Sequence, residues 1–489
     1  MSETSATSDH PRRESRPPRH EFLDTATAPE TRGIEIVGDD ERHGRARDLF
    51  FVWSAPNVSV LNLTVGASLT IVLGLEVWQG LLVLLASSVL AILPGIVAIS
   101  GPAAGTSGSV IQRAIYGVRG NKVVVAFYGW FISCVFLALN WVAASFMGAE
   151  LLTRWGFPDR TVALVLVSVV TAAITVLVAI YGHALILRAY MGIAIALSLI
   201  FAAVLGFIAP SIDWGFAQPE PLSGLPLWSS LTIAFALFSS SPLSFSNSAD
   251  MARYLPRDTK PSRIVWATAL GNLFPGMLIT GFGIVLGGTV GAESLESGIE
   301  YSLLEKLPSW LAPVFVLGVI VNTIALNGMT TYTASMALQS IGVPIRRIPS
   351  AVLIGVLGGA FTIVLVLSSS LIDAINLMLQ FLLVISAPTM AVYVADIVLR
   401  RNRYDGRDLF DERPGGKFWY TGGFGGPGLV SVVAGAVATA LFLSTTVWTG
   451  PLGAALGQLD LSVPVGMLVS TVLYALLAGP GIRRQTAPR

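Results

Sequence analysis

Apolar runs long enough to cross a lipid bilayer recur along most of this chain, and no other feature restricts its fold so severely. A helical crossing needs roughly 20 mostly apolar residues. Runs of that kind, bounded by charge or by Gly and Pro clusters, fall at 50–73, 76–99, 123–151, 161–180, 185–208, 228–249, 262–288, 309–338, 350–369, 371–399, 428–447 and 462–479. In hydrocarbon every backbone N–H and C=O must find its partner within the protein, so a run of this length is read as a helix. The expectation is an all-α polytopic membrane protein of about twelve spans. With 53% hydrophobic and only 12% charged residues, the bilayer is the natural solvent for the chain.

The placement of charge orients those spans. If the N-terminus is cytoplasmic, the inner loops carry Arg113, Arg119, Lys122, Arg188, Arg253, Arg257, Lys260, Arg263, Arg346, Arg347 and the whole basic set from Arg400 to Lys417. The outer loops then carry only Arg154, Arg160 and Lys306, which is the bias that sets membrane topology. One span too many or too few would swap every later loop and cancel it. Both termini are thus expected in the cytoplasm, with the protein in the plasma (inner) membrane. The acidic cluster Glu293, Glu296, Glu300 and Glu305 falls outside.

Residues 1–48, rich in Arg, Pro, Ser, Thr and Glu, read as a disordered cytoplasmic tail whose last part, Gly33 to Asp48, can be an ordered lead-in. After it come two halves, 49–208 and 228–399, a cytoplasmic loop over 400–427, and a last helix pair with its tail over 428–489. The net charge of +1 gives no case for nucleic acid, and the single Cys134 leaves no intramolecular disulfide. His10, His20, His43 and His183 lie outside the span cores, so neither a metal cluster nor a Ser/His pair is available in the membrane. The glycine-rich stretch from Gly415 to Gly428 lacks the phosphate-loop pattern. With no paired carboxylates either, an enzyme is not expected, nor any cofactor.

Two spans carry a proline among polar residues: Ser54-Ala55-Pro56-Asn57-Val58-Ser59 in the first and Ser239-Ser240-Ser241-Pro242-Leu243-Ser244 in the sixth. Proline withholds an N–H from its helix, and non-helical backbone at mid-depth is tolerated beside a cavity. Paired interruptions in corresponding members of two halves point to a solute site between them; packed, merely kinked helices are the competing reading. Pro56 and Pro242 are 186 positions apart (242 − 56 = 186), and the same offset carries Asn140 to within one residue of Asn327. Phe136 and Asn140 lie one turn apart on span three, and Asn322, Asn327 and Thr330 on span eight. An aromatic beside an amide suits a flat heterocycle, by stacking and by pairing with ring N–H and C=O groups; the same amides can also serve as interhelical glue. No ionisable residue is expected near mid-bilayer, so a neutral solute is favoured. Glu150, Asp250, Asp373 and Asp396 sit near span ends, where Asp250 is either a gating or proton-carrying group or the i+3 partner of Arg253.

The segments Gly33-Ile34-Glu35-Ile36-Val37, Ser100-Gly101-Pro102, Gln112-Arg113-Ala114-Ile115-Tyr116-Gly117 and above all Ala249-Asp250-Met251-Ala252-Arg253-Tyr254-Leu255-Pro256-Arg257-Asp258 resemble the bacterial purine and cytosine permeases. These belong to the nucleobase:cation symporters, which include hydantoin and allantoin transporters. The resemblance implies a five-plus-five inverted repeat of the LeuT-like kind, with two extra helices and alternating access by spans one, two, six and seven. It implies substrate contacts at Ser59, Phe136, Asn140, Ser240, Ser241 and Asn327; shifted by one turn, Asn140 takes the stacking position and Ala144 the amide position. The family's tryptophan pair in hydantoin carriers is replaced here, by Phe136 or Asn140 and by Ser241. The family's sodium site corresponds to Ala55, Val58, Gly318, Val321 and Asn322, where two hydroxyl positions are valine and asparagine; the resemblance thus implies either proton coupling or a site built from Asn322 and carbonyls. The coupling ion implied is Na+ or H+. The function expected is secondary, cation-coupled import of a small neutral nucleobase-like heterocycle, with an allantoin, hydantoin or vitamin-like solute as the alternative. A channel would need a filter of repeated carbonyls or charged rings, which the sequence does not offer.

Overall fold

The computed structural model describes residues 28–290, 299–368, 371–445 and 448–486, with the side chains of 299–301, 368, 371–381 and 486 excepted. The expectations for residues 1–27, Glu293, Glu296, Glu300 and Asp373 lie outside the described residues. Each apolar run read from the sequence falls mostly on helix, the eleventh leaving it after Phe442, and no β-strand forms among the described residues. We label the helices α1 (Ala46–Asn57), α2 (Val60–Ile71), α3 (Val77–Ala104), α4 (Val118–Arg154), α5 (Arg160–Ser211), α6 (Gly224–Ser244) and α7 (Ser248–Ala252). After these come α8 (Pro261–Val290), α9 (Ile299–Lys306), α10 (Leu311–Ser340), α11 (Arg347–Ser368), α12 (Leu371–Arg400), α13 (Gly426–Phe442) and α14 (Ser462–Thr486).

Packing sorts these helices into two bodies and a flanking set. In one body α8 lies against both parts of the first span, α1 and α2, and α3 lies against α6 and α8. In the other, α4, α5, α10 and α11 pack on one another. The pairings repeat between the halves: the first span meets the seventh as the sixth meets the second, and the third meets the ninth as the eighth meets the fourth. Helices α12, α13 and α14 form the flanking set. Their join is polar and fully buried at one point, where Asp396 accepts from Arg400, Tyr404 and Tyr474 at 2.7–2.8 Å. Asp396 is therefore held in a closed network rather than facing a cavity.

Glycine sets the closest approaches. In the α2–α8 contact a Cβ at Gly66 would fall on the Thr280 carbonyl, and one at Gly283 on the Leu63 carbonyl. Small residues let membrane helices gain the van der Waals contact that water supplies no drive for. Helix α5 covers the fourth and fifth runs with a break at Gly182, whose φ of 74° and ψ of −148° only glycine adopts without strain. Here the chain meets its own beginning. Residues 28–45 are not a free tail; beyond the ordered lead-in expected from Gly33 on, residues 28–32 are also held: the Glu30 N–H donates to the Ile180 carbonyl at 3.0 Å and the Glu30 carboxylate accepts from the His183 N–H at 2.9 Å. The same carboxylate pairs with Arg253 at 3.0 Å and accepts from Tyr254 and Tyr332. A buried acid so fully partnered fixes its segment to α5, α7 and α10 together.

Candidate functional site

Both proline-bearing spans are interrupted, but each break lies just past its proline. Pro56 sits in the last turn of α1, and the chain leaves helical geometry at Val58, where φ is −78° and ψ is 76°. Ser59 then caps α2 by accepting the Leu61 N–H at 3.2 Å, and the two halves meet at 60°. Pro242 is likewise inside α6, which ends at Ser244; residues 245–247 connect it to α7. A proline ring clashes with the turn before it and not the one after, so helical geometry persists briefly beyond each proline. The two breaks abut, with the Trp53 and Phe245 rings 4.7 Å apart between centroids.

Between the breaks and α4 lies a cavity whose empty space, open mouth included, is about 1050 Å³. Pro56, Asn57, Ser59 and Asn62 line it from the first span, Ser240, Ser241 and Pro242 from the sixth, and Phe136 and Asn140 from α4. No charged side chain lines it among the described residues. The Ser240 hydroxyl is spent on the Leu237 carbonyl at 2.6 Å, while that of Ser241 has no protein partner among the described residues. Asn327, placed in the cavity by the sequence reading, is not there. It is fully buried behind Asn140, donating to the Leu137 carbonyl and accepting from the Asn140 Nδ2, both at 2.9 Å. Asn57, Asn62 and Asn272, which the sequence reading did not single out, do line the cavity. The signal for the first two was their position beside a broken span; for Asn272 it was an amide alone in an apolar run.

The five residues matched to a sodium site do not converge. Val321 is 37% exposed on the outer face of α10, Gly318 abuts Leu197 and Ile200 of α5, and Val58 packs in an apolar cluster. Ala55 and Asn322 do meet, but Asn322 presents N–H: its Nδ2 donates to the Ala55 carbonyl at 2.8 Å and the Pro56 carbonyl at 3.0 Å. These carbonyls, at the electronegative end of α1, are where a cation would be held. The Asn322 amide donates to both, leaving each carbonyl one further lone pair.

A second cavity continues from the first. Phe136, Ser244, Phe245, Leu326 and Leu382 line both and so form the constriction between them. Asp250 lines the second. It does not pair with Arg253, which turns to Glu30; its Oδ1 accepts the Gly108 N–H at 2.7 Å. Glu150 makes an ordinary i,i+4 pair with Arg154 at 3.0 Å.

Residues 36–466 match the family model described as permease for cytosine/purines, uracil, thiamine, allantoin. A putative purine-cytosine permease of Bacillus subtilis, YxlA, is 25% identical over 474 residues, covering 93% of this chain and 97% of that protein. A purine-cytosine permease of Saccharomyces cerevisiae is 22% identical, covering 92% and 86%. Among solved structures, Mhp1, a nucleobase-cation-symport-1 family transporter in a closed conformation with bromovinylhydantoin bound, superimposes with a TM-score of 0.68 at 17% identity, covering 94% of this chain and 97% of that one. The fold is thus shared with Mhp1.

Proposed function

Because the chain belongs to the family of permeases for cytosine and purines, uracil, thiamine and allantoin, we propose that it imports a small neutral nucleobase-like heterocycle by cation symport and alternating access. The observation that carries this reading is the cavity between two interrupted spans, lined by amides, hydroxyls and an aromatic ring and by no charge. Buried polar groups discriminate strongly for partners that satisfy them, and an uncharged lining gives a charged solute nothing to pair with. Ser59, Phe136, Asn140, Ser240 and Ser241 are the proposed contacts, with Asn327 acting behind Asn140. An allantoin- or hydantoin-like solute is the alternative, favoured by the likeness to Mhp1 and weakened by the absence of tryptophan at positions 136 and 241.

The coupling ion is proposed to be the proton. The Asn322 amide occupies the carbonyls a sodium ion would use, whereas Asp250 is a buried carboxyl on the wall of the second cavity. The excess of Lys and Arg in alternate loops supports cytoplasmic termini and a plasma-membrane location. The test is uptake of radiolabelled cytosine, hypoxanthine, adenine, uracil and allantoin into expressing cells. Saturable uptake and counterflow of one or more is expected, dependent on a pH gradient and lost in Asp250→Asn without loss of binding. No uptake of any of the five would remove the substrate reading, and dependence on sodium alone would remove the proton.

A further inference from the structure

We infer that Asn327 is a positioning residue that sets the hydrogen-bonding polarity of the substrate cavity, turning the Asn140 amide so that its oxygen is left as an acceptor on the wall of α4. This rests on the reading of the first cavity as the solute site.

The hydrogen bonds form a chain whose first member is fixed. The Leu137 carbonyl can only accept, so the amide group of Asn327 within 2.9 Å of it is the Nδ2. The other terminus of a planar amide is then its oxygen, and that oxygen faces Asn140. Only a donor satisfies it, so Asn140 turns its own Nδ2 toward Asn327. The remaining Asn140 group is Oδ1, for which no protein donor is present among the described residues, on a side chain that lines the cavity. Asn327 is fully buried, so water cannot reverse the sequence by offering its amide an alternative partner. One backbone carbonyl thus dictates, through two amides 187 positions apart, that the α4 wall offers an acceptor. A ligand seated there must present an N–H edge, and an isosteric ligand presenting C=O or a bare ring nitrogen leaves two acceptors face to face.

Cytosine and uracil, and adenine and hypoxanthine, are pairs of nearly the same shape in which donor and acceptor are exchanged along one edge, and they are the probes. Binding of all four to purified protein is measured by ligand-induced thermal stabilisation. The wild type is expected to separate the members of at least one pair by about tenfold. Asn327→Leu frees the Asn140 amide to turn either way, so the ratio falls to within a few-fold. Asn327→Asp, neutral in this buried place, can donate its O–H to Leu137 and accept from Asn140, so the ratio is kept. Asn140→Leu loses the preference while keeping the fold. If Asn327→Leu weakens both members of a pair equally and leaves their ratio intact, or if the wild type does not separate either pair, the inference is overturned. If none of the four binds the wild type, the reading of the cavity falls first and takes this inference with it.

Discussion

Glu30 and Arg253 bury opposite charges where neither reaches water, at 2% and 0% side-chain exposure. Such a pair gains little over apolar packing, but removing one member leaves the other charged and unpartnered, at a cost of roughly 3–5 kcal/mol. Glu30→Ala is expected to lower the melting temperature of the purified protein sharply. Glu30→Gln, which retains partners for Tyr254, Tyr332 and the His183 N–H, should lose less. Equal melting of wild type and Glu30→Ala would show that residues 28–45 are dispensable to the fold. Asn322 is a second residue whose effect is decided by what it touches: its amide joins α10 to the end of α1. Sodium should therefore leave the melting temperature of the wild type unchanged when exchanged for choline at constant ionic strength, and a clear upward shift would restore the ion to this site.

At the scale of elements, the spacing between helices is set by residues with no side chain. Gly66→Ala forces a methyl group onto the Thr280 carbonyl and Gly283→Ala onto that of Leu63, so α2 and α8 must part. Overpacking of this kind costs about 1–3 kcal/mol. Gly192→Ala on α5 meets no atom within 4 Å and serves as the control, with no loss of stability expected in thermal melts. Equal behaviour of Gly66→Ala and Gly192→Ala would mean that α2 and α8 do not pack so closely. The helices themselves were legible because each apolar run is self-sufficient in lipid. The breaks were legible only to within a turn: proline residues 56 and 242 marked the right spans, but the chain leaves helical geometry at Val58 and at Phe245.

At the scale of the molecule, alternating access requires the body holding α1, α3 and α8, against which α7 packs, to move against the one holding α10. Asn247, just ahead of α7, donates to Thr333 of α10 at 2.9 Å, next to the second cavity. In a background with Cys134 replaced by Ala, the pair Asn247→Cys and Thr333→Cys bridged by a short thiol-specific cross-linker should stop uptake, and a reducible linker should allow its recovery on reduction. Undiminished uptake by the cross-linked protein would mean that the two bodies do not separate along this seam.

What the sequence determined by itself was whatever the bilayer enforces locally: helices over the apolar runs, the two interrupted spans, and polar but uncharged residues beside the interruptions. Each follows from the cost of an unsatisfied backbone group or an unpaired charge in hydrocarbon, a cost every segment meets on its own. Tertiary structure alone decided which polar groups are left over. Asn140 and Asn327 carry the same side chain, yet one lines the cavity and the other is consumed behind it. Glu30 reads as one more charge in a polar tail until Arg253, 223 positions away, claims it. A hydrogen bond is satisfied by direction and distance, and those exist only once remote helices have met.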